Sequence, residues 1–272
     1  MSAEPRIATV LICHAEEPLH TDGVARWLAA TTDLRGIVRI REPGRMFWRR
    51  VRREWQRSGT LGLFDVLAFR VWYRTALAGR DRAWHARALA ALRDRWPAVP
   101  ADVPAIDVAT PNAPESEAFI RRCAPDAALA LCKHILAPRI FELPRAGTFV
   151  CHPGVAPEYR NAHGCFWAMA SGDFERVGMT MLRVDRGVDT GPVFGYFTYP
   201  FDPREQSHVE IQNRVLLDNL DGVGALLGRI VRGEAEPVSV AGRASGTWGQ
   251  PRLTSYLRLR RRLARSHALS HA

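Results

Sequence analysis

Residues 7–40 read IATVLICHAEEPLHTDGVARWLAATTDLRGIVRI, and this opening decides the fold. Ile7 to Cys13 is an almost uninterrupted apolar run of strand length, the pattern of a strand buried on both faces. Thr21 or Asp22 can cap a following helix that carries Val24, Trp27 and Leu28 on one face. Gly36 to Ile40 then reads as a second strand. A strand–helix–strand opening is the unit of a parallel sheet, because its crossover packs a helix back onto the strands. The expected fold class is α/β: a Rossmann-like, mostly parallel sheet with helices on both faces, plus a basic helical insertion and a C-terminal helical tail.

The same alternation resumes after residue 100. Glu115 to Cys123 reads as a short helix and Ala127 to Cys132 as an apolar strand. Thr148 to His152, Met179 to Val184 and Val193 to Tyr199 read as later strands. Ser207 and Glu210 have capping-box spacing and open a helix with Ile211, Val215, Leu216, Leu220, Val223, Leu227 and Ile230 at helical spacing, ended by Gly233. Val238 to Val240 reads as an added edge strand. Residues 1–235 are thus expected to form one catalytic-type domain with a helical insertion at about 42–100, and residues 236–272 a basic extension.

Charge is concentrated rather than spread. The net charge is +10, yet Arg45 to Arg57 hold six arginines against one glutamate, and Pro251 to Ala272 hold six arginines and no acid. What remains is an ordinary balanced domain. Within the insertion, Phe47, Trp48, Trp55, Phe64, Phe69 and Trp72 interleave with arginines. That pattern suits helices packing on the core, ahead of an anionic membrane surface or a nucleic-acid platform reached through Arg45–Arg57 and the tail. A homo-oligomer is compatible with the same composition. No leading segment reads as a signal peptide, and no uncharged run of about 18 apolar residues is present. Five unpatterned cysteines suit reduced thiols, so a cytoplasmic location is expected.

Two turns carry the chemistry. Cys151-His152-Pro153-Gly154-Val155-Ala156-Pro157-Glu158-Tyr159-Arg160 follows one apolar run, and Val188-Asp189-Thr190-Gly191-Pro192 follows another. Proline fixes φ and glycine permits conformations closed to other residues, so such turns hold side chains rigidly. An imidazole oriented by a carboxylate is a simple proton-transfer device at neutral pH. Cys151 is adjacent to His152 in a strand and therefore faces the other way, as a structural residue rather than a nucleophile. The spacings of Cys132, Cys151, His152, His163 and Cys165 match no compact ligand set, so no metal is expected.

In order along the chain stand His152-Pro153, Pro157, Tyr159-Arg160, Trp167-Ala168, Gly172-Asp173, Gly178-Met179-Thr180 and Asp189-Thr190-Gly191. This order resembles the catalytic half of the folate-dependent formyltransferases, which act on methionyl-tRNA, glycinamide ribonucleotide and amino sugars. The resemblance covers residues 111–201 well and the first strand and helix loosely. It implies 10-formyltetrahydrofolate as formyl donor and an amine acceptor: an amino sugar, a small amine or, third in order, an aminoacyl-tRNA. It implies His152 and Asp189 as catalytic residues. The pterin would lie along His134, Ile135 and Leu136 and the Val188–Asp189 turn. The glycine-rich first turn of the glycinamide ribonucleotide enzymes is missing, and residues after Gly233 are too few for the β domain of the methionyl-tRNA enzymes.

Two positions depart from the family pattern. An asparagine two residues before the histidine, which helps hold the formyl oxygen, is Val150 here, and one oxyanion donor is typically worth about 10²–10³ in rate. Asn161 replaces the glycine after Tyr-Arg. Asn161 and His163 are therefore candidate substitutes for the lost donor. The alternatives are a catalytically impaired relative that binds folate or a nucleotide sugar, and a 10-formyltetrahydrofolate hydrolase.

Overall fold

The computed structural model describes residues 6–42 and 46–270. Its chain order is β1 (Ala8–His14), α1 (Ala25–Thr31), β2 (Asp33–Ile40), α2 (Met46–Trp72), α3 (Ala78–Arg95), β3 (Ala105–Val108), α4 (Pro114–Cys123), β4 (Ala127–Leu131), α5 (Pro138–Phe141), β5 (Thr148–His152), β6 (Arg160–Asn161), α6 (Gly164–Ser171), β7 (Met179–Arg183), β8 (Val193–Phe197), α7 (His208–Leu217), α8 (Leu220–Val231), β9 (Thr247–Trp248) and α9 (Leu253–Ser270). Seven strands form one sheet in the order β3-β2-β1-β4-β5-β7-β8. The first five are parallel, and β7 and β8 close the far edge antiparallel. The expected mostly parallel sheet is therefore present.

Alternation along the strands builds two core layers. Leu11, Cys13, Leu129 and Phe149 face one side, where α1, α6 and α7 supply Trp27, Phe166 and Ile211. Val10, Ile12, Val38 and Ala128 face the other, against Phe119 and Ile120 of α4 and Ile140 of α5. Chain order reverses between β1 and β4, and the crevice beyond the carboxyl ends of strands at such a point is where open α/β sheets bind ligands.

Several expected details are corrected. Neither Thr21 nor Asp22 caps the first helix. Pro18 fixes the entry, a π-turn spans Leu19–Val24, Thr21 donates to the Glu17 carbonyl, and Asp22 pairs with Arg26 and Arg93. The long helix after Ser207 is two, because Asn219 turns its amide onto the carbonyls of Thr198 and Val215. Residues 238–240 form no strand, although the Val238 N–H donates to the Val193 carbonyl. Ser207 does cap α7, accepting from the Glu210 N–H.

The insertion is helical: α2, broken at Gly59 with φ +69, then a π-turn over Tyr73–Leu77, then α3. Arg45 and the side chains of residues 46–50 and 53 lie outside the described residues. Val66 and Phe69 are buried, whereas Trp55, Leu61, Phe64, Val71 and Trp72 are exposed. The tail is not a free appendage, since Leu259 and Leu263 of α9 join the main core and Asp65 of α2 accepts from the Thr254 N–H. No described helix is long and apolar enough to cross a membrane.

Candidate active site

β5 delivers His152 to the carboxyl end of the sheet, where only 4% of the residue is exposed. Its ring is fixed at both nitrogens. Nε2 donates to the Tyr159 carbonyl at 2.7 Å, which sets the hydrogen on that atom, and Nδ1 faces Asp189 Oδ2 at 3.4 Å. The two predicted residues are therefore brought together across 37 positions of chain. Gly154 makes this possible. A Cβ there would lie 2.4 Å from the Tyr159 oxygen and 2.7 Å from His152 Nε2, inside the bond that holds the ring.

Asp189 adopts φ +51, left-handed for a non-glycine residue, a conformation that costs on the order of 1 kcal/mol and needs support. That support comes from the Asn161 N–H, which donates to the same Oδ2 at 2.7 Å, and from Gly191, where any Cβ would strike the Arg183 carbonyl. Asn161 is itself left-handed, at φ +78. Asparagine is the next-best residue after glycine in that region, so this replacement of the family glycine preserves the turn. The Asn161 side chain donates to the Trp248 carbonyl, and His163 turns its ring toward His208, 6.3 Å away.

The remaining motif residues brace the turn. Thr180 of β7 donates to the Gly154 carbonyl at 2.7 Å and accepts from the Ala156 N–H at 2.9 Å. The Tyr159 hydroxyl donates to Asp173 at 3.0 Å. A strap from the C-terminal extension then closes over the turn. β9 pairs with β6, Trp248 stacks between Tyr159 and Trp167 and donates to the Glu158 carbonyl, and Arg243 grips Glu158 through two nitrogens. None of this strap was among the expected site residues.

Val150 shares the His152 face of β5. It packs against an apolar cluster of Ala156, Leu182 and Val193 with Tyr196 and Val240, and brings no donor. Arg160 donates to the Val188 carbonyl at 3.0 Å, so that carbonyl is already engaged, while its Nε is buried without a partner. Cys151 faces the opposite core layer, where burial pushes its thiol up to about 12.

The loop after β4 lies at the other side of the crevice. Asn112 clamps it around Leu136, donating to the Ile135 carbonyl and accepting from the Ala137 N–H. Ile135 is 63% exposed, and the backbone N–H and C=O of Leu136 have no intramolecular partner among the described residues. An exposed apolar side chain beside an unpaired amide edge suits a flat, amide-like heterocycle. Next to it, His14, Glu42 and His134 form the one group among the described residues whose donor atoms lie within 4.8 Å of one another. His14 Nε2 accepts from the Lys133 N–H at 3.1 Å, so its neutral ring carries the hydrogen on Nδ1, toward Glu42 at 3.9 Å. That tautomer offers an ion a proton rather than a lone pair. Lys133, the only lysine, depresses His14, His20 and His163 alike, although burial is the larger cause in each.

The formyl transferase family matches residues 87–223, half of the chain. Methionyl-tRNA formyltransferase of Sorangium cellulosum is 30% identical over 131 residues, covering 48% of this chain and 39% of that protein. The Microcystis aeruginosa enzyme of the same name is 34% identical over 113 residues, covering 41% and 30%. Two solved structures share the fold. They are a sugar N-formyltransferase from Shewanella (14% identity, TM-score 0.51, 92% of this chain and 86% of that one) and phosphoribosylglycinamide formyltransferase from Anaplasma phagocytophilum (11%, TM-score 0.53, 90% and 100%). The chain belongs to the formyl transferase family. Its matches span less than two fifths of the length of these two curated relatives.

Proposed function

We propose that this chain transfers a formyl group from 10-formyltetrahydrofolate to a primary amine in the cytoplasm, an amino sugar or small amine ahead of an aminoacyl-tRNA. The observation that carries the reading is the His152–Asp189 contact, held from both sides at the end of β5. The donor supplies the formyl carbon, and the Ile135–Leu136 edge is the surface that suits its pterin. As the amine attacks, negative charge grows on the formyl oxygen and the amine becomes acidic. Asp189 Oδ2 and His152 Nδ1 share a gap that holds one proton, so the pair takes the proton from the amine and returns it to the departing folate nitrogen. A protonated His152 ring places positive charge next to the growing oxyanion. The Asn161 N–H keeps Asp189 aimed at the ring throughout.

The test is turnover of 10-formyltetrahydrofolate with a panel of primary amines. Wild-type protein should formylate one class, and His152→Ala should lose transfer by about 10³-fold or more with an unchanged circular dichroism spectrum. Unchanged transfer in His152→Ala would sink the assignment. Formate released without any amine would instead identify a hydrolase. Val150, set in an apolar cluster, favours a second reading in which folate binds tightly and turnover is slow.

A further inference from the structure

Next to the 153–161 turn lies a cavity of about 390 Å³. Its near wall is His163, and its far wall is the insertion, through Val66 and Phe69 of α2 and Tyr73 of the π-turn that follows. His208 and Gln250 close it from α7 and the strap. Val66 to Ala78 belong to the helical insertion and lie outside the matched residues 87–223. The volume falls in the range of small-molecule sites.

Three observations point to a ligand. First, His208 is buried and His163 half-buried, both line the cavity, and each has a buried Nδ1 atom without a hydrogen-bond partner among the described residues. A buried polar atom left unpaired is costly, so a ligand group bonding there is favoured. Second, the aromatic wall is rigid. Phe69 packs on Phe166, His208 and Tyr256, and the Tyr73 and Ser207 hydroxyls both donate to the buried Asp81 carboxylate. Third, Arg70 and Arg74 line the same cavity, and among the described residues neither has a carboxylate within ion-pair distance. His163 ties this cavity to the chemistry, because Asn161, two residues earlier, holds Asp189.

Resting on the formyl-transfer reading, we propose that this cavity receives the apolar, ring-sized body of the amine acceptor, with an anionic group of that acceptor set against Arg70 and Arg74. The acceptor is then an amphipathic anion bearing a primary amine, and the insertion is its specificity element.

The probe is 8-anilinonaphthalene-1-sulfonate, an aromatic anion of suitable size, beside its uncharged parent N-phenyl-1-naphthylamine. The folded protein should bind one sulfonate, with roughly tenfold higher affinity than the uncharged ring. Arg70→Gln with Arg74→Gln should remove that preference, and Ala78→Phe or Val209→Trp, which fill the cavity, should abolish binding. Aromatic amines carrying a carboxylate or phosphate should displace the probe and be formylated, with KM raised about tenfold or more by filling and kcat within about twofold. Probe binding that survives both filling variants would overturn the proposal, as would a KM that filling leaves unmoved, and in either case the formyl-transfer reading stands. Filling-sensitive, charge-sensitive probe binding without formylation of any amine would support the cavity as an anion site and remove the transfer reading instead.

Discussion

Asp189, Asn161 and His163 all hold left-handed backbone within one site, and such backbone needs specific support. For Asp189 it is the Asn161 N–H, so Asn161→Gly should leave transfer within about threefold, because glycine adopts the same φ at no steric cost. Asn161→Val should lose transfer by about tenfold or more, since a β-branched residue resists that conformation. Kinetics of both variants, with folding checked by circular dichroism, decide the point. Gly154 is constrained more tightly, because its missing Cβ leaves room for the His152 Nε2 bond to Tyr159. Gly154→Ala should therefore cut kcat by about 10²-fold while folate binding persists, as measured by fluorescence titration. Val150→Asn restores a donor on the His152 face. It should raise kcat by about tenfold or more at a small loss in melting temperature, and an unchanged kcat would show that another group already serves the formyl oxygen.

At the scale of elements, the strap of residues 243–250 is the least expected part of the site. Trp248 is stacked on both faces and bonded through its indole N–H, so Trp248→Ala should cost about 3 kcal/mol and lower kcat/KM by about tenfold, read from a urea midpoint and steady-state kinetics. Its composition, Arg-Ala-Ser-Gly-Thr-Trp-Gly-Gln, reads as a loop, and Glu158, which both Arg243 and Trp248 hold, lies 85–90 positions away. No period in the local sequence encodes such pairing. β1 is the opposite case. Buried on both faces between β2 and β4, it carries the fold in seven residues. His152 and Asp189 were legible because each ends an apolar run at a proline- and glycine-rich turn. In α2, Leu61 and Phe64 are as apolar as Val66 and Phe69, so periodicity could not show which would be buried.

At the scale of the molecule, three histidines set into the fold couple stability to pH. Burial holds His20 and His208 at about 4 and His163 at about 3, below the ordinary 6.5. The unfolded chain therefore binds more protons than the folded one between pH 6.5 and about 4, and stability falls as pH is lowered through that window. At pH 5 each contributes a loss on the order of 2 kcal/mol. The melting temperature should be flat above pH 7 and drop steeply below 6.5, with a shallower drop in His208→Gln. A pH-independent melting temperature from 7 to 5 would contradict the burial of these rings.

The strap also sets an order of events. The turn at 153–161 is synthesised long before residues 243–250, yet Arg160, Asn161 and Glu158 each complete their set of partners in that later segment. During synthesis, the sheet and His152 can assemble while the turn above them still lacks its cover. The bracing of the 153–161 turn is therefore completed late in synthesis, by residues made more than eighty positions after it.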